Sequence, residues 1–97
     1  MAKQIIWTKR AQEERKEILH FWRINNQSTA YSKKQNGLIK KAVKLIASHP
    51  HIGRGTDIEN VRIKLVRDYF VFYEEDEDQI FILSIWDNRR NPEEATY

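Results

Sequence analysis

The chain opens with a short apolar segment, followed by a longer one in which apolar residues recur at helical spacing. Residues 3–8, KQIIWT, are rich in β-branched and aromatic residues, which predicts a first strand. From Lys9 to about Ile24 the pattern predicts an amphipathic helix. Its apolar positions are Ala11, Ile18, Leu19, Phe21 and Trp22. Thr8 precedes this helix, and its hydroxyl can cap the first turn by accepting a bond from a free backbone N–H.

A second helix is predicted after the polar segment NNQST. Ser28 or Thr29 can cap its start, and the helical pattern continues to about Ser48. The apolar positions that recur at steps of three and four residues are Leu38, Ala42, Leu45 and Ile46. The lysines lie mainly on other faces, at Lys33, Lys34, Lys40, Lys41 and Lys44. Two antiparallel helices with a short connection follow from this pattern.

Three strands are predicted in the second half of the chain. Residues 49–60, HPHIGRGTDIEN, contain a proline and two glycines and therefore form a loop. The strand candidates that follow are 61–66, 69–74 and 79–86, and the spacers between them have the length of hairpin turns. Local pairing of successive strands then gives a three-stranded meander.

The alternation within these strands predicts how they pack. In the first, Val61, Ile63 and Leu65 alternate with Arg62 and Lys64, so we expect the apolar face to pack on the helices and the two cations to point to the other face. The third strand is apolar on both faces, which is typical of a central strand covered by helices on one side. A partner or the chain's own tail would cover its other side.

The predicted fold is therefore α+β. An antiparallel sheet, made of the N-terminal strand and the C-terminal three-stranded meander, carries two helices on one face. At 97 residues the chain has the size of one domain with a modest core, and no repeat or linker divides it. We expect a single domain over 1–97.

Charge and composition limit the classes of function. The net charge is +3, with 12 Lys/Arg against 5 Asp/Glu up to Asn60 and 5 against 9 from Val61 onward, which permits an anionic partner. Cysteine is absent, so disulfides and thiolate metal sites are excluded and a reducing cytoplasm is expected. No apolar run approaches the roughly 20 residues of a membrane span, so no membrane association is expected.

No metal or other cofactor is predicted. His49 and His51 flank Pro50 without a third ligand at metal-binding spacing, and His20 fits a helix surface. Arg62 and Lys64 taken alone are equally well explained as a solvated strand face. The basic pair in the segment IWDNRRNPEE, taken alone, is more often solvated charge at a strand end than part of a phosphate site.

The order of these elements resembles the RelE/ParE superfamily of toxins from bacterial toxin–antitoxin modules. The similar segments are IIWTKRAQEERKEI, HPHIGRG, VRIKLVRDYFVFYE and SIWDNRRNPEE, which together span nearly the whole chain. The resemblance implies a toxin whose helices pack on one sheet face while the other, concave face carries function. It also implies a small cognate antitoxin wrapped around the toxin, and contact with operator DNA only through that antitoxin.

The resemblance also implies candidate site residues. Superfamily members that cleave messenger RNA on the ribosome need no metal, because a ribose 2′-OH attacks the adjacent phosphate while cations stabilise the phosphoryl charge and other groups move protons. The positions that match their site are Arg62, Lys64, Arg89 and Tyr97, with Arg90 beside Arg89. Adjacent strand residues point to opposite faces, so Arg89 and not Arg90 is assigned to the functional face.

One position departs from the nuclease pattern. Nucleases of the superfamily usually place an arginine after an aromatic residue in the second meander strand, and here Phe70 follows Tyr69. The resemblance therefore favours a ParE-like inhibitor of DNA gyrase, with Arg62, Lys64 and Arg89 in contact with the target. The alternatives are a RelE-like endoribonuclease acting on messenger RNA at the ribosome, and a binding module without toxicity.

Overall fold

The computed structural model describes residues 2–25 and 29–87 and confirms the α+β class. Two helices and a single turn of 3₁₀ helix at Pro50–Ile52 accompany the strands of one sheet. The elements are β1 (Gln4–Trp7), α1 (Lys9–Asn25), α2 (Thr29–Ser48), β2 (Arg54–Gly55), β3 (Val61–Val66), β4 (Tyr69–Glu75) and β5 (Gln79–Asp87). Among the described residues no helix is both long and apolar enough to cross a membrane.

The sheet has five strands in the order β1-β5-β4-β3-β2. The predicted meander is confirmed, because β3, β4 and β5 pair antiparallel in sequence order. β5 is a central strand, as predicted, and β1 pairs with its other edge. That pairing is parallel, so the sheet is mixed rather than wholly antiparallel. The two helices and three further strands separate β1 from β5, and no hairpin therefore constrains their relative direction.

Thr8 joins the start of α1 to the sheet. Its hydroxyl accepts a hydrogen bond from the backbone N–H of Ala11 at 3.2 Å, which confirms the predicted cap. The same hydroxyl donates to the carbonyl of Ile82 in β5 at 2.8 Å. The first turn of α1 is therefore fixed over the central strand.

The core lies between the helices and one face of the sheet. α2 contributes Ile39, Val43 and Ile46, and the three strands of the meander contribute Val66, Tyr69, Val71, Tyr73, Ile80, Ile82 and Ile85. The predicted apolar line of α2 was partly wrong, because Leu45 is 43% exposed while Ile39 and Val43 are buried. Apolar residues occupy two adjacent lines of this helix, and periodicity alone does not distinguish which line meets the sheet.

A register shift in β5 keeps its apolar residues directed toward the helices. Tyr73 pairs with Ile82, but Phe72 pairs with Ser84, which leaves Leu83 as an extra residue. The alternation of β5 changes by one position at this irregularity, so Ile85 joins Ile82 in the helix-side core.

The predicted orientation of β3 was wrong. Arg62 and Lys64 pair directly with Tyr73 and Val71, which belong to the helix-side core. Directly opposed residues share a sheet face, so both cations lie on the helix side and Ile63 on the other. The helices contact β5 more extensively than β3. β3 lies next to the outer strand β2 and carries its two cations on the sheet face that packs on the helices.

Candidate functional site

Arg62 lies at the edge of the sheet beside the 3₁₀ turn and β2. Its Nη1 donates to the carbonyl oxygen of Gly53 at 2.9 Å, and its Nη2 lies 3.3 Å from Nδ1 of His51. Lys64 is two residues further along the same face and is partly buried. The two cations are therefore brought together on one face, with Arg62 held by a loop and Lys64 beside it.

His51 connects Arg62 to an ion-pair chain. Its Nε2 lies 3.2 Å from Oε1 of Glu75, and Oε2 of Glu75 lies 3.1 Å from Nζ of Lys3. Lys3 also donates to the carbonyl of Asp76 at 2.6 Å. A neutral imidazole with its proton on Nε2 suits both contacts, because Nδ1 then accepts from Arg62 while Nε2 donates to Glu75. Both ring nitrogens of His51 are thus engaged within the protein.

Tyr73 fixes the turn that holds Arg62. Its hydroxyl donates to the carbonyl of Pro50 at 2.6 Å and accepts from the backbone N–H of Gly53 at 3.0 Å. Burial raises the pKa of this hydroxyl above its ordinary value of 10.0, and the bond from Gly53 and the charge of Arg62 partly oppose that rise. Tyr73 therefore sets the position of the Gly53 carbonyl to which Arg62 donates.

The raised pKa of Tyr73 predicts an alkaline loss of stability. The folded state holds the phenolic proton more tightly than the unfolded chain, whose pKa is near 10.0. This contribution to the free energy of unfolding is fully present below about pH 10 and is lost as the pH rises through the folded-state pKa. We expect Tyr73→Phe to show a shallower alkaline decline than the wild type in urea unfolding between pH 8 and 11. If the free energy of unfolding fell equally with pH in the two proteins, the raised pKa would not belong to Tyr73.

Gly53 is required by close packing, and Gly37 offers a matched control. A Cβ at Gly53 would lie 2.6 Å from the Tyr73 hydroxyl and 2.9 Å from the carbonyl oxygen of Ile63, whereas a Cβ at Gly37 would meet nothing within 4 Å. We expect Gly53→Ala to lower the free energy of unfolding by about 1–3 kcal/mol. Gly37→Ala should raise it by about 0.5–1 kcal/mol, because Gly37 lies inside α2. Urea unfolding measures both, and a Gly53→Ala variant as stable as the wild type would refute the packing argument.

The remaining candidate residues are not all gathered at this site. Phe70 pairs with Leu65 and Trp86 and alternates with Val71, so it lies on the sheet face opposite to Arg62 and Lys64. An arginine at this position would not join the two cations on their face. Arg89, Arg90 and Tyr97 lie outside the described residues.

Sequence reasoning missed the partners of Arg62. His51 was predicted only as a loop residue and Glu75 fell in the spacer between two predicted strands, yet the two side chains meet. The glycine of the segment HPHIGRG was the available signal, since Gly53 marks a close approach of the loop to β4. In the part of the chain that the structure describes, no three His, Asp or Glu side chains are grouped to hold a metal.

Comparison with known families decides the identity of the domain. A family described as the ParE toxin of the type II toxin–antitoxin system, parDE, matches residues 5–92. The chain belongs to this ParE toxin family. The match extends from β1 to beyond β5, so Arg62 and Lys64 are part of the ParE domain, as is Arg89. Tyr97 lies outside the matched range.

A solved structure has the same ParE fold. The chain is similar to one from the chromosomal ParDE toxin–antitoxin system from P. aeruginosa, with a TM-score of 0.76 and 18% sequence identity. The similarity covers 89% of this chain and 96% of that one. The search of curated protein sequences found no match. The arrangement of two helices on a mostly antiparallel sheet is therefore shared with this solved structure.

Proposed function

We propose that this ParE-family chain inhibits growth by binding DNA gyrase and that a cognate antitoxin neutralises it. The observation that carries the proposal is the match of residues 5–92 to the ParE toxins of type II systems. Inhibition by binding requires a surface complementary to the target and no chemical step. The rival activity, ribosome-dependent cleavage of messenger RNA, requires groups that move protons.

The contacts around Arg62 support binding over cleavage. A nuclease of this superfamily needs a group that takes a proton from a ribose 2′-OH. Two groups beside Arg62 that could accept it are His51 and Glu75, and both are engaged with Arg62, Lys3 or each other. Phe70 also lies on the other face of the sheet. These contacts therefore suit a cationic surface that binds a target better than a site that transfers protons.

Arg62 and Lys64 are proposed to contact the target, and Arg89 is proposed on the resemblance alone. Two cations on one face of β3 can pair with carboxylates of a protein and steer its association. The bond from Arg62 to Gly53 restricts the guanidinium before binding, which reduces the conformational entropy lost on association.

An antitoxin is the proposed partner for the exposed apolar residues. Phe21 and Ile24 on α1, Leu45 on α2 and Leu65 on β3 are each at least 43% exposed. Covering this apolar surface removes it from water, which favours association. A segment that orders on the toxin could therefore offset its loss of conformational entropy. Recognition of the operator sequence is assigned to the antitoxin.

The proposal is tested in growing cells by following DNA synthesis and protein synthesis separately after induction. We expect labelled thymidine incorporation to fall before labelled methionine incorporation, and both to be preserved when the antitoxin is expressed at the same time. An earlier fall in protein synthesis, with cleaved messenger RNA, would favour the endoribonuclease. Normal growth without the antitoxin would favour a binding module that lacks toxicity.

A further inference from the structure

The solvent-exposed face of α2 carries a band of five lysines. All five are exposed, and at about 100° per residue they fall within an arc of roughly 120° around the helix. We call this band the lysine stripe; its members are Lys33, Lys34, Lys40, Lys41 and Lys44. No Asp or Glu occurs in the sequence from residue 29 to residue 56, and no ion pair within the described residues involves the stripe.

The centre of the lysine stripe is made of small residues. Ala30, Gly37 and Ser48 lie between the lysines on the helical projection and are exposed. A Cβ at Gly37 would meet nothing within 4 Å, so packing within the chain does not require this glycine. Glycine inside a helix is destabilising, yet here it leaves a low strip along which another molecule can approach the backbone.

The arrangement of charge and apolar surface favours nucleic acid over a protein partner. Apolar grooves lie to either side of the stripe, one lined by Leu38, Ala42 and Leu45 and the other by Ile5, Trp7 and Val43. Protein interfaces place apolar anchors at the centre and charges at the rim. In α2 the lysines lie between the two apolar grooves and not around them, an arrangement that suits a phosphate backbone.

We propose that α2 binds duplex DNA directly through the lysine stripe. The major groove, about 12 Å wide, admits an α-helix, and the low strip at Gly37 lets the helix enter while lysines on both sides reach the phosphates. The pairs Lys33/Lys34 and Lys40/Lys41 are seven residues apart, which is about 10.5 Å along the axis. Recognition is through phosphates and therefore independent of base sequence. The inference does not depend on gyrase being the target of the toxin.

The test is binding of the purified full chain to a fluorescent 20-bp duplex of arbitrary sequence, followed by anisotropy at increasing salt. Four or five lysine–phosphate contacts predict that affinity falls roughly 150- to 500-fold between 50 and 200 mM salt. The double variant Lys40→Gln/Lys44→Gln should reduce the slope of log K against log salt by about 2. No binding at 50 mM salt would overturn the proposal.

A matched control separates the stripe from net charge. Lys9→Gln/Lys16→Gln removes the same charge from exposed positions of α1 and should leave the slope unchanged. Equal losses in the two double variants would refute a specific role for α2. If the stripe variant lost antitoxin binding but kept its DNA affinity, the stripe would belong to a protein interface and the proposal would fail.

Gly37→Leu tests the docking geometry without changing charge. Leucine is a strong helix former, so this variant should melt at or above the wild-type temperature. Its side chain would fill the centre of the stripe and should weaken duplex binding several-fold. Wild-type affinity in a folded Gly37→Leu variant would contradict entry of α2 into the groove.

Discussion

Arg62→Ala is expected to remove most of the growth inhibition. Arginine is enriched among residues that dominate protein interfaces, and its truncation there typically costs about 2 kcal/mol or more, or roughly 30-fold in affinity. The measurement is growth at matched soluble level together with binding to the proposed target. Because Arg62 also donates to Gly53, the melting temperature and antitoxin binding are measured in parallel to detect loss of folding.

Arg54→Ala is the matched control for this prediction. Arg54 is exposed and pairs with Ile63, so its side chain lies on the face opposite to Arg62 at the same edge of the sheet. It loses the same charge and should keep nearly full activity. If Arg62→Ala inhibits growth as strongly as Arg54→Ala and the wild type, the Arg62 face takes no part in target binding.

Glu14→Ala is expected to lower the free energy of unfolding by about 2–4 kcal/mol. Oε1 of Glu14 accepts from the hydroxyl of Ser84 at 2.9 Å and from the backbone N–H of Ile85 at 3.2 Å. Ser84 is 0% exposed, so truncation would leave two donors without their partner, at a cost of about 1–3 kcal/mol each. Glu14 therefore joins α1 to β5 next to the register shift of that strand.

Urea unfolding measures this loss, with Glu17→Ala as its control. Glu17 lies one turn further along α1 and is exposed, so its truncation should change stability by no more than about 0.5 kcal/mol. Glu14→Gln keeps an acceptor oxygen and should retain part of the lost stability. Equal stability of the two alanine variants would show that the bonds to Ser84 and Ile85 contribute little.

Local patterns predicted most elements but not their long-range arrangement. Apolar periodicity identified both helices and four of the strands, and Thr8 marked the start of α1. β2, at Arg54–Gly55, has two residues and is too short for a periodic signal. The parallel pairing of β1 with β5 joins segments more than 70 residues apart, and no turn sequence encodes its direction.

The orientation of β3 shows why alternation gave the wrong face. Alternation states that two sides of a strand differ, not which side the helices cover. Phe72 and Trp86 are buried on the face away from the helices, so the sheet has apolar residues on both faces. Because both sheet faces bury apolar residues, the alternation of β3 alone did not show which of its two faces lies under the helices.

The candidate site was partly accessible from sequence. Arg62 and Lys64 were identified by resemblance, and their common face follows from strand periodicity. The contact of His51 with Glu75 depends on how the loop folds over the β3–β4 hairpin, which local composition does not specify. Tyr73 was predicted as a strand residue, but its role in fixing the turn required the position of Gly53.

Binding of DNA gyrase is the action that we propose for this ParE-family chain. Its most direct test incubates the purified chain in parallel with gyrase plus relaxed plasmid and with translating ribosomes, each with and without the antitoxin. We expect supercoiling to be inhibited, the antitoxin to relieve this inhibition, and messenger RNA on the ribosomes to stay intact. Normal supercoiling together with cleaved messenger RNA would contradict the proposal.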